Sequence, residues 1–71
     1  MPKPYKVLVI IRVLESKGFI FISQSGSHAK YRKKGKPTLT VIVPIHGKEI
    51  PYGTFRSILR QSGLQEKDFK R

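Results

Sequence analysis

Apolar residues along this chain come in blocks, and the period changes from block to block. Residues 5–17 predict a helix. Val7, Leu8, Ile10, Ile11 and Leu14 recur at the spacing of one helical face, with Arg12, Glu15 and Ser16 on the other. Val7, Val9, Ile10, Ile11 and Val13 are β-branched and would also suit a strand. Length decides for a helix, as does Gly18, which stands where helices end on a left-handed residue. Residues 19–24 open with Phe19-Ile20-Phe21-Ile22 and predict a strand. Both its faces start apolar, so a helix is expected to cover one of them. Ser25-Gly26-Ser27 is a turn signal.

From His28 to Lys34 the period is two. His28, Lys30 and Arg32 fall on one face, and Ala29, Tyr31 and Lys33 on the other. Lys34-Gly35-Lys36-Pro37 is a second turn. Residues 38–43 form a third strand, with Leu39, Val41 and Val43 sharing a face. Pro44 ends its hydrogen-bonding capacity and a loop runs to Pro51. A second helix starts at Pro51 or Thr54, with Phe55, Ile58, Leu59 and Tyr52 as its buried stripe and Gly63 as its stop. Gln65 to Arg71 forms one more short helical turn with Phe69 inward. The order is α-β-β-β-α, an α+β domain spanning 1–71 without linker or internal repeat. Short connections make the three strands an antiparallel meander, with two helices packed on one face. The other face is left for solvent or a ligand.

Charge gives that open face a meaning. The 71 residues include 15 Lys and Arg against 4 Asp and Glu, a formal net charge of +11. Between Glu15 and Glu49 there is no acidic residue, while Lys17, Lys30, Arg32, Lys33, Lys34, Lys36 and Lys48 all fall there. A single-sign field attracts polyanions, nucleic acid first and an anionic membrane surface second. The chain has no cysteine, which removes thiol nucleophiles, thiolate metal sites and disulfides, and a cytoplasmic protein is expected. No apolar run approaches the roughly 18 residues of a membrane span. Met1-Pro2-Lys3-Pro4 does not lead into a signal peptide.

Chemistry has few carriers here. Glu15, Glu49, Glu66 and Asp68 are all the carboxylates, so a metal-dependent nuclease site is not expected and no cofactor is called for. His28 is the candidate catalyst. It follows Gly26-Ser27 at the head of a strand whose face continues with Lys30 and Arg32. An imidazole can move a proton near neutral pH, and neighbouring cations can hold a phosphodiester. RNA brings its own nucleophile, the 2′-OH. The plainer alternative is a histidine that caps a turn. Lys33, Lys34, Arg56 and Arg60 are further candidates for phosphate contact. Ser27 and His46 are candidate auxiliaries, Ser27 pointing away from His28 on a strand and His46 able simply to orient its loop. Tyr31 and Tyr52 could stack on bases or serve the core.

Several motifs stand at specific spacings: Gly18-Phe19, Gln24-Ser25-Gly26-Ser27-His28, Tyr31, Val43-Pro44-Ile45-His46-Gly47, and Ile50-Pro51-Tyr52-Gly53-Thr54-Phe55-Arg56-Ser57-Ile58-Leu59-Arg60-Gln61-Ser62-Gly63-Leu64. Together they resemble the HicA toxin family over nearly the entire chain. The resemblance implies a fold like that of a double-stranded-RNA-binding domain. It implies a toxin of a toxin–antitoxin pair that cuts mRNA without metal, with the histidine of the Gly-Ser-His element, His28, as catalyst. It also implies a HicB antitoxin that docks on the toxin and hides its active site, so that the chain is a monomer or a hetero-oligomer with that partner. The first helix is richer in β-branched residues, and Lys33 to Pro37 more basic, than the family pattern. A small RNA-binding domain without chemistry is the alternative expectation, and a basic face serving an acidic protein partner is a third.

Overall fold

A computed structural model describes residues 5–70, arranged as β1 (Tyr5–Lys6), α1 (Val7–Ser16), β2 (Ile20–Ser25), β3 (His28–Lys33), β4 (Leu39–Pro44), β5 (Glu49–Ile50), α2 (Tyr52–Ser62) and a 3-10 turn (Glu66–Phe69). The opening Met1-Pro2-Lys3-Pro4, read above for a signal peptide, and the final Arg71 lie outside the described residues. β2, β3 and β4 form an antiparallel meander in the order β2-β3-β4. The α-β-β-β-α order expected from the sequence is therefore the frame of the molecule. To it the structure adds a second, two-residue ladder, β1 with β5, which pairs Tyr5 with Ile50 and Lys6 with Glu49. That ladder shortens the first helix from the expected 5–17 to Val7–Ser16 and converts part of the expected 44–51 loop into strand.

The core is the layer between the helices and the inner face of the sheet. Val7, Ile10, Val13 and Leu14 of α1 and Phe55 and Ile58 of α2 are buried against Ala29 and Tyr31 of β3 and Val41 and Val43 of β4. Burying side chains of this size contributes about 1.5–3 kcal/mol each. That packing explains how a β-branched segment becomes a helix: tertiary burial of one stripe outweighs propensity differences of a few tenths of a kcal/mol per residue. The stripe is rolled from the one expected. Val13 faces inward and Leu8 faces out, 66% exposed. At about 100° per residue, Leu8 sits roughly 150° from the middle of the buried stripe. Helix ends follow the glycines: Gly18 at φ +98 just beyond α1, and Gly63 at φ +73 as the cap of α2.

α2 lies against β4 and guards the edge of the sheet there, its Gln61 Oε1 accepting a hydrogen bond from the Ile42 backbone N–H at 2.9 Å. The opposite edge is different. Every residue of β2 is exposed, including Ile20, Phe21 and Ile22. The helix expected over the Phe19–Ile22 block covers only Phe19, which precedes the strand. The helix layer is two helices wide and is taken up by β3 and β4, so the third strand projects beyond it.

The chain ends are fastened to each other. The Tyr5 and Tyr52 hydroxyls donate to the two carboxylate oxygens of Glu66, at 3.0 and 3.2 Å. Tyr5 stacks on Phe55 at a centroid distance of 3.9 Å, and Phe69 meets Phe55 edge-on at 5.1 Å. Phe69 is buried, as expected of the tail. Desolvation, and then the Glu66 carboxylate, push the Tyr5 phenol above its ordinary pKa.

Candidate functional site

His28 stands first on β3, directly after a two-residue hairpin turn made by Gly26 and Ser27. Gly26 takes φ +57, and among the described residues none other than glycine has a positive φ, so Ser27 keeps the ordinary sign. A glycine of positive φ followed by such a residue is the pattern of a type II′ turn, whose twist suits antiparallel neighbours. The turn is tied down from the other side by the Ile45 backbone N–H, which donates to the Ser27 carbonyl at 2.7 Å. Ser27 therefore supports the site through its backbone.

Register then sets which side chains share a face. Directly paired residues of an antiparallel sheet point the same way, and residues two apart on a strand do too. The His28 row runs Ser25–His28–Pro44, the next Ser23–Lys30–Ile42, and the third Ile20–Arg32–Thr40. A bulge between Phe21 and Ser23 keeps this alternation, turning Phe21 inward with Tyr31 and Ser23 outward with Lys30. His28, Lys30 and Arg32 thus stand in three successive rows on the face away from the helices, roughly 7 Å apart along the strand. His28 is exposed; Lys30 and Arg32 are half-buried.

The other candidates are spread more widely. Lys33 is on the inner face, where its ammonium sits 6.0 Å from the centroid of the Phe19 ring. It does not share the His28 face. Lys34 is exposed just after β3. Arg56 and Arg60 are exposed and one helical turn apart on α2, with Arg60 donating to the Ser57 hydroxyl at 3.3 Å. His46 is exposed in the bend after β4, and no hydrogen bond joins it to His28 among the described residues. Tyr31 is buried, and that desolvation, with the charge of Glu15 behind it, raises its phenol above the ordinary pKa. Tyr52 is half-buried and engaged by Glu66. Neither tyrosine lies free on the open face. Among the described residues no three His, Asp or Glu side chains converge to hold a metal ion, and no helix is long and apolar enough to cross a membrane.

With this geometry in view, the family comparison is decisive. The family model described as "HicA toxin of bacterial toxin-antitoxin" matches residues 10–64, well over half of the chain. The chain belongs to the HicA toxin family. The comparison with curated proteins gave no match. The match begins within α1 and ends just after Gly63, so it takes in the whole meander, the His28 turn and α2. A two-helix, three-stranded α+β fold of the double-stranded-RNA-binding type is thereby established for this HicA toxin, and membership implies an antitoxin partner. β1, the start of α1 and the 3-10 turn fall outside the matched span, and with them Tyr5 and Glu66. Sequence reasoning did not find that Tyr5–Glu66–Tyr52 clasp. Its partners are 61 and 14 residues apart, and only the paired ends bring them together.

Proposed function

We propose that this toxin is a metal-independent endoribonuclease that cuts mRNA with His28 and is neutralised by a HicB-type antitoxin in the cytoplasm. The observation that carries it is the row order on the open sheet face: a histidine, then a lysine, then an arginine, all pointing away from the helices. RNA lies across that face. Lys30 and Arg32 hold phosphate oxygens and stabilise the charge that builds at phosphorus in the transition state. His28 takes the proton of the 2′-OH as O2′ attacks the adjacent phosphorus; the bond to the 5′-oxygen breaks, and that oxygen takes its proton from solvent water, to which His28 later returns the one it accepted. Because the substrate supplies the nucleophile, the protein needs a base and a clamp only. The chain has four carboxylates, Glu15, Glu49, Glu66 and Asp68, and the mechanism assigns a role to none of them. Arg56, Arg60 and Lys34, all exposed, are further phosphate contacts in this reading, whereas Lys33 lies on the other side of the sheet. His46 is an auxiliary of the loop and Ser27 a backbone anchor of the turn.

The test is incubation of the purified chain with a long transcript in the presence of EDTA. The expected outcome is shortened RNA bearing 2′,3′-cyclic phosphate ends. Intact RNA, with binding that merely weakens as salt rises, is the outcome of a domain that binds without cutting and would remove the catalytic part of this proposal. Cleavage that EDTA abolishes would remove the metal-free part.

A further inference from the structure

The projection of β2 beyond the helix layer opens a second surface, on the inner side of the sheet. A groove of about 780 Å³ runs between α1 and β2; Leu8, Ile11, Phe21 and Ile45 line it, and the buried Ala29 and Tyr31 form its floor. Leu8 is 66% and Phe21 52% exposed. Large apolar side chains left open together on a small domain mark a surface made for a partner. We infer that this groove seats the anchor of the antitoxin: a segment that brings apolar side chains into the groove and carboxylates to its rim. The inference rests on the proposed neutralisation by an antitoxin and gives that partner a seat on the face opposite His28.

Charge selects this occupant. Lys6 and Lys48 border the groove, Glu49 is the only acidic residue along it among the described residues, and the chain as a whole carries +11. A second copy brings the same positive charge to the same place and is repelled; an acidic protein is drawn in. RNA suits the lining poorly, because the apolar walls inside the Lys6 and Lys48 rim offer no phosphate contact and the Lys30 and Arg32 rows face the other way. Anchoring is by side chains in the groove rather than by an added strand, since the bulge between Phe21 and Ser23 interrupts the ladder geometry of the free edge. The seat also has a route to the site. Gln24 and Ala29, which line the groove, flank the Ser25–His28 pair that closes the hairpin. A partner held there needs only to pass round the Gly26-Ser27 corner to overlie His28.

The experiment measures the affinity of the purified protein encoded beside this toxin's gene for toxin variants, by calorimetry at low and high salt. Leu8→Glu and the milder Leu8→Ala and Phe21→Ser change exposed side chains, and circular dichroism checks that each variant is folded. Leu8→Glu and Phe21→Ser are expected to weaken binding about 30-fold or more, as loss of an interface anchor does, with RNA affinity and cleavage unchanged. Wild-type affinity is expected to fall as salt rises. The inference is overturned if the Leu8 and Phe21 variants bind within twofold of wild type, or if the neighbouring protein does not bind the wild-type toxin. It is also overturned if these substitutions instead weaken RNA binding, or if sedimentation shows a toxin dimer that they dissolve. The readout is binding, so a toxin that cuts no RNA but loses its partner on Leu8→Glu refutes the nuclease proposal and leaves the docking site standing.

Discussion

His28 owes its position to residues that take no part in chemistry. Gly26 supplies the positive φ of the turn, and the Ser27 carbonyl is held by the Ile45 amide. A Cβ at Gly26 meets nothing within 4 Å, so Gly26→Ala tests backbone strain alone. The expected cost is about 1–2 kcal/mol in urea unfolding, with a larger loss of RNA cleavage than of RNA binding as the His28 row shifts. Unchanged stability would contradict the left-handed turn. On β3 the side of each residue was legible in the sequence, because an unbroken period of two needs no knowledge of neighbours: His28, Lys30 and Arg32 were expected on one face and lie there, whereas the bulge that sets the sides on β2 was not. Leu8 was not legible. It belongs to the same apolar run as Val7 and Ile10, and only the roll of α1 over the sheet decides that Val13 is covered and Leu8 left open.

At the scale of elements, the helices and the three-stranded meander could be read because each is long enough to show its period. The β1–β5 ladder could not, since two residues per strand carry no pattern. The 3-10 turn shows how such short pieces are kept in place. Asp68 accepts a hydrogen bond from the Gln65 backbone N–H at 2.8 Å and faces the Lys17 ammonium at 3.6 Å. The backbone hydrogen bond first, and then Lys17, hold its carboxyl below the ordinary carboxylate range despite some desolvation. A carboxyl depressed in the folded state stabilises that state above its unfolded pKa, and the contribution is lost as pH falls through the lowered value. Wild-type stability is therefore expected to decline on acidification below about pH 4, and more steeply than that of Asp68→Asn. Parallel acid limbs for the two proteins, measured by thermal unfolding across that window, would contradict a role for this cap.

At the scale of the molecule, a net charge of +11 on 71 residues becomes a function only when the fold gives it a place. Two helices cover one side of the sheet and leave Lys30 and Arg32 beside His28 on the other. If five phosphates are neutralised on single-stranded RNA, log affinity falls against log salt with a slope of about −3.5. Replacing both Lys30 and Arg32 by Ala is expected to reduce that slope by about 1.4, two phosphate contacts' worth, and an unchanged slope would move the RNA path off this face. The extent of the basic region was legible from the acid-free stretch between Glu15 and Glu49, whereas the division of its cations between two faces, Lys33 with the core side and Lys30 with the open side, needed the register. The central claim is that one histidine on this face performs the cleavage. The most direct measurement compares wild type and His28→Ala for RNA binding and for the rate of cleavage of the same transcript in EDTA. The expected result is binding within about twofold and cleavage slowed by about 10²–10⁴-fold, the contribution of a general base; cleavage by His28→Ala at the wild-type rate would contradict it.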